Sequence, residues 1–200
     1  MGHPELLLFP ILAATDMWLS LVSIRRLRRR YSQHIRSEAL ELNPRWQDSV
    51  HAGRVSSRFV AHVAALTGLL TVLGVLAARS PFADHIAAGV AGALLATYGA
   101  IIGRHLGNLS FCRYLDEHPD ELSGEVYLRY PLSLAQSRAQ LFAVLLPTLA
   151  IFAAWRSWFA FGAVVGVLGL MRVHSKWRRV PPRAPVDVIP AAEPATPSPG

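Results

Sequence analysis

The chain alternates between long apolar runs and shorter polar segments, a pattern typical of proteins that cross a membrane several times. The first run, Leu6 to Ile24, holds 19 residues with one charge, close to the ~20 residues that a spanning helix needs. A second run, Phe59 to Ala78, is uninterrupted, and Arg79 to Pro81 separate it from the third. The second and third runs therefore predict a helical hairpin.

Small residues recur at helical spacing along the third predicted span, Phe82 to Gly103, and just beyond it. Such a face lets helix backbones approach closely in lipid. We predict that this helix is the centre of the bundle and extends past the membrane as a stalk until Pro119 ends it. The predicted packing residues are Ala88, Gly92, Ala96, Gly99, Gly103 and Gly107.

The last apolar stretch, Ala139 to Met171, is 33 residues long, and as one helix it would measure ~50 Å. This exceeds the ~30 Å hydrocarbon core of a bilayer. Arg156 lies between two tryptophans, a composition typical of a membrane surface. We therefore predict two spans, Ala139 to Trp155 and Ser157 to Met171, joined by a tight turn.

Two polar segments lie between the spans, residues 25–58 and 104–138. In the first, the sequence predicts a helix from Tyr31 to Leu42 that Asn43 and Pro44 would stop. In the second, Ser133 to Gln136 match a capping box and predict the start of the next helix. The second segment also holds an acidic patch that we expect to pair with the arginines of the first: Asp116, Glu117, Asp120, Glu121 and Glu125.

The distribution of basic residues predicts the orientation of the chain. With five spans and the N-terminus outside, 18 of the 20 basic residues lie on the cytoplasmic side, as the positive-inside rule favours. The predicted fold is an all-α transmembrane bundle of five spans in residues 1–178, with a cytoplasmic C-terminus. Residues 179–200 are rich in proline and alanine and predict a disordered cytoplasmic tail.

Composition agrees with insertion into a membrane. The chain is 52% hydrophobic and 16% charged, whereas soluble domains are about 25% charged. The basic residues flank apolar spans, so membrane orientation explains the high pI and we predict no nucleic-acid partner. Lys176 is the single lysine, and this arginine bias suggests a GC-rich bacterial genome. We therefore predict a protein integral to the cytoplasmic (inner) membrane of a bacterium. Cys112 is the single cysteine, which excludes an internal disulfide.

A run of arginines follows the first span and predicts contact with anionic lipids at roughly 1 kcal/mol per basic residue. A docking site for an acidic partner is the alternative. The arginines are Arg25, Arg26, Arg28, Arg29 and Arg30.

Asp16 lies near the middle of the first span, where a carboxylate costs roughly 2.5–3.5 kcal/mol and usually has a partner in the bundle interior. It is a candidate proton or cation relay, or a ligand contact. The structural alternative is a hydrogen bond to a neighbouring threonine, Thr15, Thr67 or Thr71.

Three further polar residues lie at the predicted cytoplasmic ends of the spans, namely His62, Arg104 and His105. We expect them to line one cavity with Asp16, which Arg104 or His105 would neutralise. A haem between His62 and His105 is conceivable, but two histidines on adjacent helices are weak evidence. We therefore predict no cofactor.

The sequence lacks the HExxH, GxSxG and Walker motifs, and we assign no catalytic or metal-binding residue. The pattern favours a non-enzymatic membrane protein that assembles with itself or with a membrane partner. Two alternatives remain open. One is a small transporter or channel with Asp16 as its protonatable site; the other is a lipid-acting enzyme with His62, Arg104 and His105 at the headgroup level.

Overall fold

Five long helices dominate the computed structural model, which describes residues 2–31, 34–39, 41–121 and 123–180. All five are long and apolar enough to cross a membrane, which confirms that part of the sequence prediction. A short helix, α2, extends over Gln47–His51. The long helices are α1 (Phe9–Arg26), α3 (Ser57–Ala77), α4 (Pro81–Glu117), α5 (Tyr130–Trp155) and α6 (Trp158–Trp177).

Helix ends follow the predicted boundaries closely at two turns. Residues 78–80 join α3 to α4, and the two helices pack as the predicted hairpin. Arg156 breaks the last apolar stretch with a left-handed backbone, φ 47°, and Ser157 caps α6 by accepting a hydrogen bond from the Ala160 N–H. The predicted division of this stretch into two helices is confirmed.

Helix α4 continues to Glu117 as predicted for the stalk, but α5 begins earlier than predicted. The capping-box start at Ser133 is wrong, since α5 starts at Tyr130 with Pro131 in its first turn. Proline favours this position because its missing N–H has no partner in a first turn and its φ is already helical.

The predicted helix from Tyr31 to Leu42 is wrong. A short strand there, β1 (Ile35–Ser37), pairs in parallel with β2 (Val126–Leu128), so that Ile35 lies opposite Val126. A short polar helix is marginal by itself, whereas a strand gains backbone hydrogen bonds from its partner. The helical bundle therefore carries a two-stranded sheet that the sequence did not predict.

The predicted pairing of acidic and arginine-rich segments is observed beside this sheet. Arg26 forms an ion pair with Asp116 at the end of α4, and the Tyr31 hydroxyl donates to the same carboxylate at 2.5 Å. Arg36 on β1 pairs with Glu125 at 3.3 Å. These contacts fasten the segment after α1 to the stalk of α4 and to the chain just before β2.

Helix α4 is central, because it contacts α1, α3, α5 and α6. Its first half packs on α6 through small residues of both helices. A Cβ added to Gly92 would overlap the backbone of Phe159, and one added to Gly162 would overlap the carbonyl of Gly89. Glycine is therefore required on both sides of this interface.

The second half of the predicted packing face behaves differently. Two alanines of the first half are covered: Ala96 packs against the core cluster of α5 and α6, and Ala88 is partly buried. Apart from the neighbouring backbone of α4 itself, no atom of the described chain lies within 4 Å of where a Cβ would stand on Gly99, Gly103 or Gly107. These three glycines therefore do not pack within the chain as the spacing predicted. The predicted disordered tail lies almost entirely outside the described residues, which end at 180.

Candidate functional site

Asp16 and His105 meet where α1 crosses α4. The Nε2 atom of His105 lies 3.1 Å from Asp16 Oδ1, and His105 is 7% exposed. A carboxylate inside an apolar helix is costly unless it is paired. His105 is therefore the partner that sequence reasoning expected for Asp16.

Two further side chains extend this contact toward the sheet. Ser20 lies one helical turn after Asp16 on the same face of α1, and its Oγ is 3.3 Å from His105 Nε2. The Ser20 hydroxyl donates to Glu41 Oε2 at 3.3 Å. Glu41 Oε1 in turn accepts from the Asn43 N–H at 2.8 Å. Hydrogen-bonding contacts thus run without interruption from Asp16 to Glu41.

The surroundings of Glu41 shift the pKa of its carboxyl group. Burial of its carboxyl group and, second, the nearby Asp16 carboxylate raise the pKa of Glu41 above its ordinary value. Both causes disfavour the ionised form of the acid. Glu41 therefore resists ionisation in this position.

Arg104 lies next to His105 but makes a different contact. Its guanidinium donates from Nη1 to the Ser137 hydroxyl of α5 at 2.7 Å. Among the described residues, no carboxylate lies within ion-pair distance of Arg104. Of the two residues expected to neutralise Asp16, the one in contact with it is His105.

His62 does not join the other three predicted cavity residues. Its side chain is exposed on α3, and its ring lies beside Trp46 with centroids 6.1 Å apart. Two of the three threonines considered as partners of Asp16 donate instead to carbonyls of their own helix. Thr67 bonds to Val63 and Thr71 bonds to Thr67.

Asp16, His105 and Ser20 resemble the components of a hydrolytic triad, but their geometry differs from one. Both Asp16 and Ser20 contact Nε2 of the imidazole, and Nδ1 is buried without a hydrogen-bond partner in the described part of the chain. A triad needs the acid on one ring nitrogen and the serine on the other. The arrangement therefore does not orient Ser20 as a nucleophile.

Sequence reasoning missed Ser20, Glu41 and Ser137. The four-residue spacing from Asp16 was a signal for Ser20. No local signal marks Glu41, because its segment folds through the pairing of β1 with β2. No local signal marks Ser137 either, because its contact with Arg104 requires α5 to lie against α4.

The described residues contain no group of three His, Cys, Asp or Glu side chains arranged to hold a metal ion. A second buried histidine, His174 on α6, is 3% exposed. Its Nδ1 has no hydrogen-bond partner among those residues, and its ring packs on Trp177.

The predicted lipid-contacting arginines lie around the end of α1. Arg25, Arg28 and Arg29 are exposed, whereas Arg26 is occupied by Asp116. The side chain of Arg30 lies outside the described part of the structure.

A scan against protein-family models and searches of the curated proteins and of the solved structures find no match to this chain. Its function must therefore be argued from the site.

Proposed function

We propose that this protein is a small multi-pass transporter or channel of the bacterial inner membrane that moves protons through Asp16. The observation that carries the proposal is the unbroken line of contacts from Asp16 through His105 and Ser20 to Glu41. Ionisable residues inside a membrane span usually mark ion or proton pathways.

The proposed orientation has the N-terminus outside and the polar end of the bundle in the cytoplasm. The bias of basic residues supports it. The pairing of β1 with β2 supports one part of this topology, the placement of both polar segments on one side, because hydrogen-bonded strands must lie on the same side of a membrane. Two candidate spans, α3 and α4, lie between the strands, as a chain that leaves and returns requires.

The contact of one imidazole nitrogen with both neighbours suits proton transfer. When Glu41 is protonated, its O–H donates to the Ser20 oxygen, the reverse of the hydrogen bond that the ionised carboxylate accepts. Glu41 then passes its proton to the Ser20 oxygen while the Ser20 hydroxyl proton moves to Nε2 of His105. The imidazolium then releases that same Nε2 proton to Asp16. Because one nitrogen both receives and gives the proton, the ring does not have to turn.

Proton entry into liposomes tests this function. Purified protein is reconstituted with a trapped pH-sensitive dye, and a potassium diffusion potential drives protons inward. We expect entry above that of protein-free liposomes, slowed at least about tenfold by Asp16→Asn. The matched control is Asp84→Asn, whose carboxylate pairs with His3 away from the site and whose loss should leave proton entry unchanged.

Entry no faster than in protein-free liposomes would contradict the proposal, as would equal rates in wild type and Asp16→Asn. Equal slowing by both asparagine variants would point to a general loss of folding.

Self-assembly, the function that the sequence favoured, is the second candidate. The observation in its favour is the open face of Gly99, Gly103 and Gly107, which no part of the described chain covers. Small residues on a helix surface in lipid permit close packing of a second helix. Native mass spectrometry of protein extracted in mild detergent tests it: a defined oligomer or a stoichiometric partner supports assembly, and a lone chain contradicts it.

A further inference from the structure

A cavity of about 290 Å³ lies beside Ser20 and His105, on the side of the two-stranded sheet. Helices α1, α4 and α5 form its walls, and residues of β1 and β2 also line it. Its volume is near the lower end of small-molecule sites in proteins, roughly 300–1,000 Å³. The cavity therefore has room for the head of an amphiphile rather than for a whole lipid.

Arg104 lines this cavity with most of its hydrogen-bonding capacity unused. A guanidinium has five N–H donors, and the one contact found within the described chain is to the neutral Ser137 hydroxyl. The Asp16 carboxylate contacts His105, and the carboxyl groups of Asp16 and Glu41 act on the Arg104 guanidinium only from beyond ion-pair distance. A partly buried cation without an anion in contact with it is costly, so the guanidinium is free to bind one.

The rest of the lining divides into a polar part and an apolar part. The polar part holds neutral hydrogen-bonding groups, and Ser23 Oγ is buried without a partner in the described residues. Its residues include Ser20, Asn108, Gln136 and Gln140. The apolar lining residues include Ile24, Leu27, Phe111 and Leu128.

We propose that this cavity binds the carboxylate or phosphate head of an anionic amphiphile, with the anion on the Arg104 guanidinium. Guanidinium pairs with both anions through two parallel hydrogen bonds. The apolar lining receives the first part of the tail. The exposed arginines after α1 raise the local concentration of anionic lipid near the cavity. This site does not depend on proton transfer through Asp16, and it can be tested without flux.

Binding of simple probes to the full chain in phosphatidylcholine nanodiscs tests the site. Decyl phosphate and decanoate carry both an anionic head and an alkyl chain. Inorganic phosphate carries the anion alone, and decanol carries the alkyl chain alone. We expect saturable binding of the two anionic amphiphiles and at least roughly tenfold weaker binding of the other two probes. Arg104→Gln should weaken binding of the amphiphiles by a similar factor, with partial recovery in Arg104→Lys.

The matched control is Arg113→Gln, which removes an exposed arginine of the same helix that pairs with Glu117 and should leave binding unchanged. Phe111 is 56% exposed, so Phe111→Glu tests the cavity without removing a buried group, and its added charge should also weaken binding. Equal affinity of wild type and folded Arg104→Gln would overturn the site. Equal affinity for inorganic phosphate would overturn the amphiphile assignment, and equal affinity for decanol would overturn the role of the anion.

Discussion

The two halves of α4 carry similar small-residue spacing but serve different purposes. In the first half, Gly92 meets the backbone of Phe159, and Gly162 of α6 meets Gly89 in return. In the second half, Gly103 and Gly107 face open space, while Arg104 and His105 point to polar partners on other elements.

A small-residue face packs backbone to backbone where the facing helix also carries small residues. Helix α6 offers Gly162, Ala163 and Gly166 to the first half of α4, so two backbones come together. Around the second half, α5 contributes large side chains such as Leu141 and Leu145. Spacing on one helix cannot reveal which of these two situations holds.

The largest expected effect comes from filling the packed half. Gly92→Leu places a side chain where the Phe159 backbone stands, and backbone atoms cannot move aside as a flexible side chain can. We expect a loss of about 3 kcal/mol in unfolding free energy, measured by denaturant unfolding in detergent micelles. Gly103→Leu is the matched control, with a change within about 0.5 kcal/mol. Similar losses in both variants would erase the distinction between the two halves.

A smaller effect is expected from the open half, on assembly rather than on folding. If Gly99, Gly103 and Gly107 form the contact between copies, Gly103→Leu separates the backbones. We expect a roughly tenfold higher dissociation constant of the oligomer, about 1.4 kcal/mol, in native mass spectrometry over a concentration series. Val165→Leu, at an exposed site on α6, should leave the oligomer intact. An unchanged oligomer in Gly103→Leu would exclude this face.

The smallest change in stability is expected from Glu41, whose carboxyl group lies near Asp16 and the second half of α4. Because the folded-state pKa of Glu41 is raised, its ionisation costs folding free energy as the pH rises above the ordinary value of 4.5. Stability of the wild type should therefore fall as the pH rises through the raised pKa. Glu41→Gln cannot ionise, so it should be more stable than wild type at roughly pH 8 and lose this advantage toward pH 4.5.

Thermal unfolding of both chains across this pH range checks the expectation. Glu38→Gln is the matched control, because Glu38 lies on the same segment but contacts the Tyr127 hydroxyl and the Tyr130 N–H, away from Asp16. Parallel curves for wild type and Glu41→Gln would mean that Glu41 is not buried as its acid.

Local sequence was enough to predict the helices and the first members of the site. The lengths of the apolar runs predicted the five candidate spans. Arg156, a charged residue between two tryptophans, predicted the turn from Trp155 to Trp158. Asp16 and His105 stood out because an ionisable group in an apolar run needs a partner. Their contact followed once α1 and α4 were adjacent.

The remaining features depend on pairings that local sequence does not encode. Ile35 is opposite Val126, and no periodicity near either residue predicts this pairing. Glu41 enters the site through this pairing. Gly99 and Gly103 were predicted to pack because spacing describes one helix, whereas packing depends on two.

The pairing of β1 with β2 also sets the order in which the molecule matures during synthesis. Val126 leaves the ribosome after both helices of the α3–α4 hairpin, so β1 waits for its partner until the hairpin has been made. Contacts this distant in sequence form slowly, because the intervening chain must first be ordered. Ser137 comes later still, so Arg104 leaves the ribosome before its hydroxyl partner does. The cavity is thus completed only after the first part of α5 has been made, and a chain truncated before α5 would lack it.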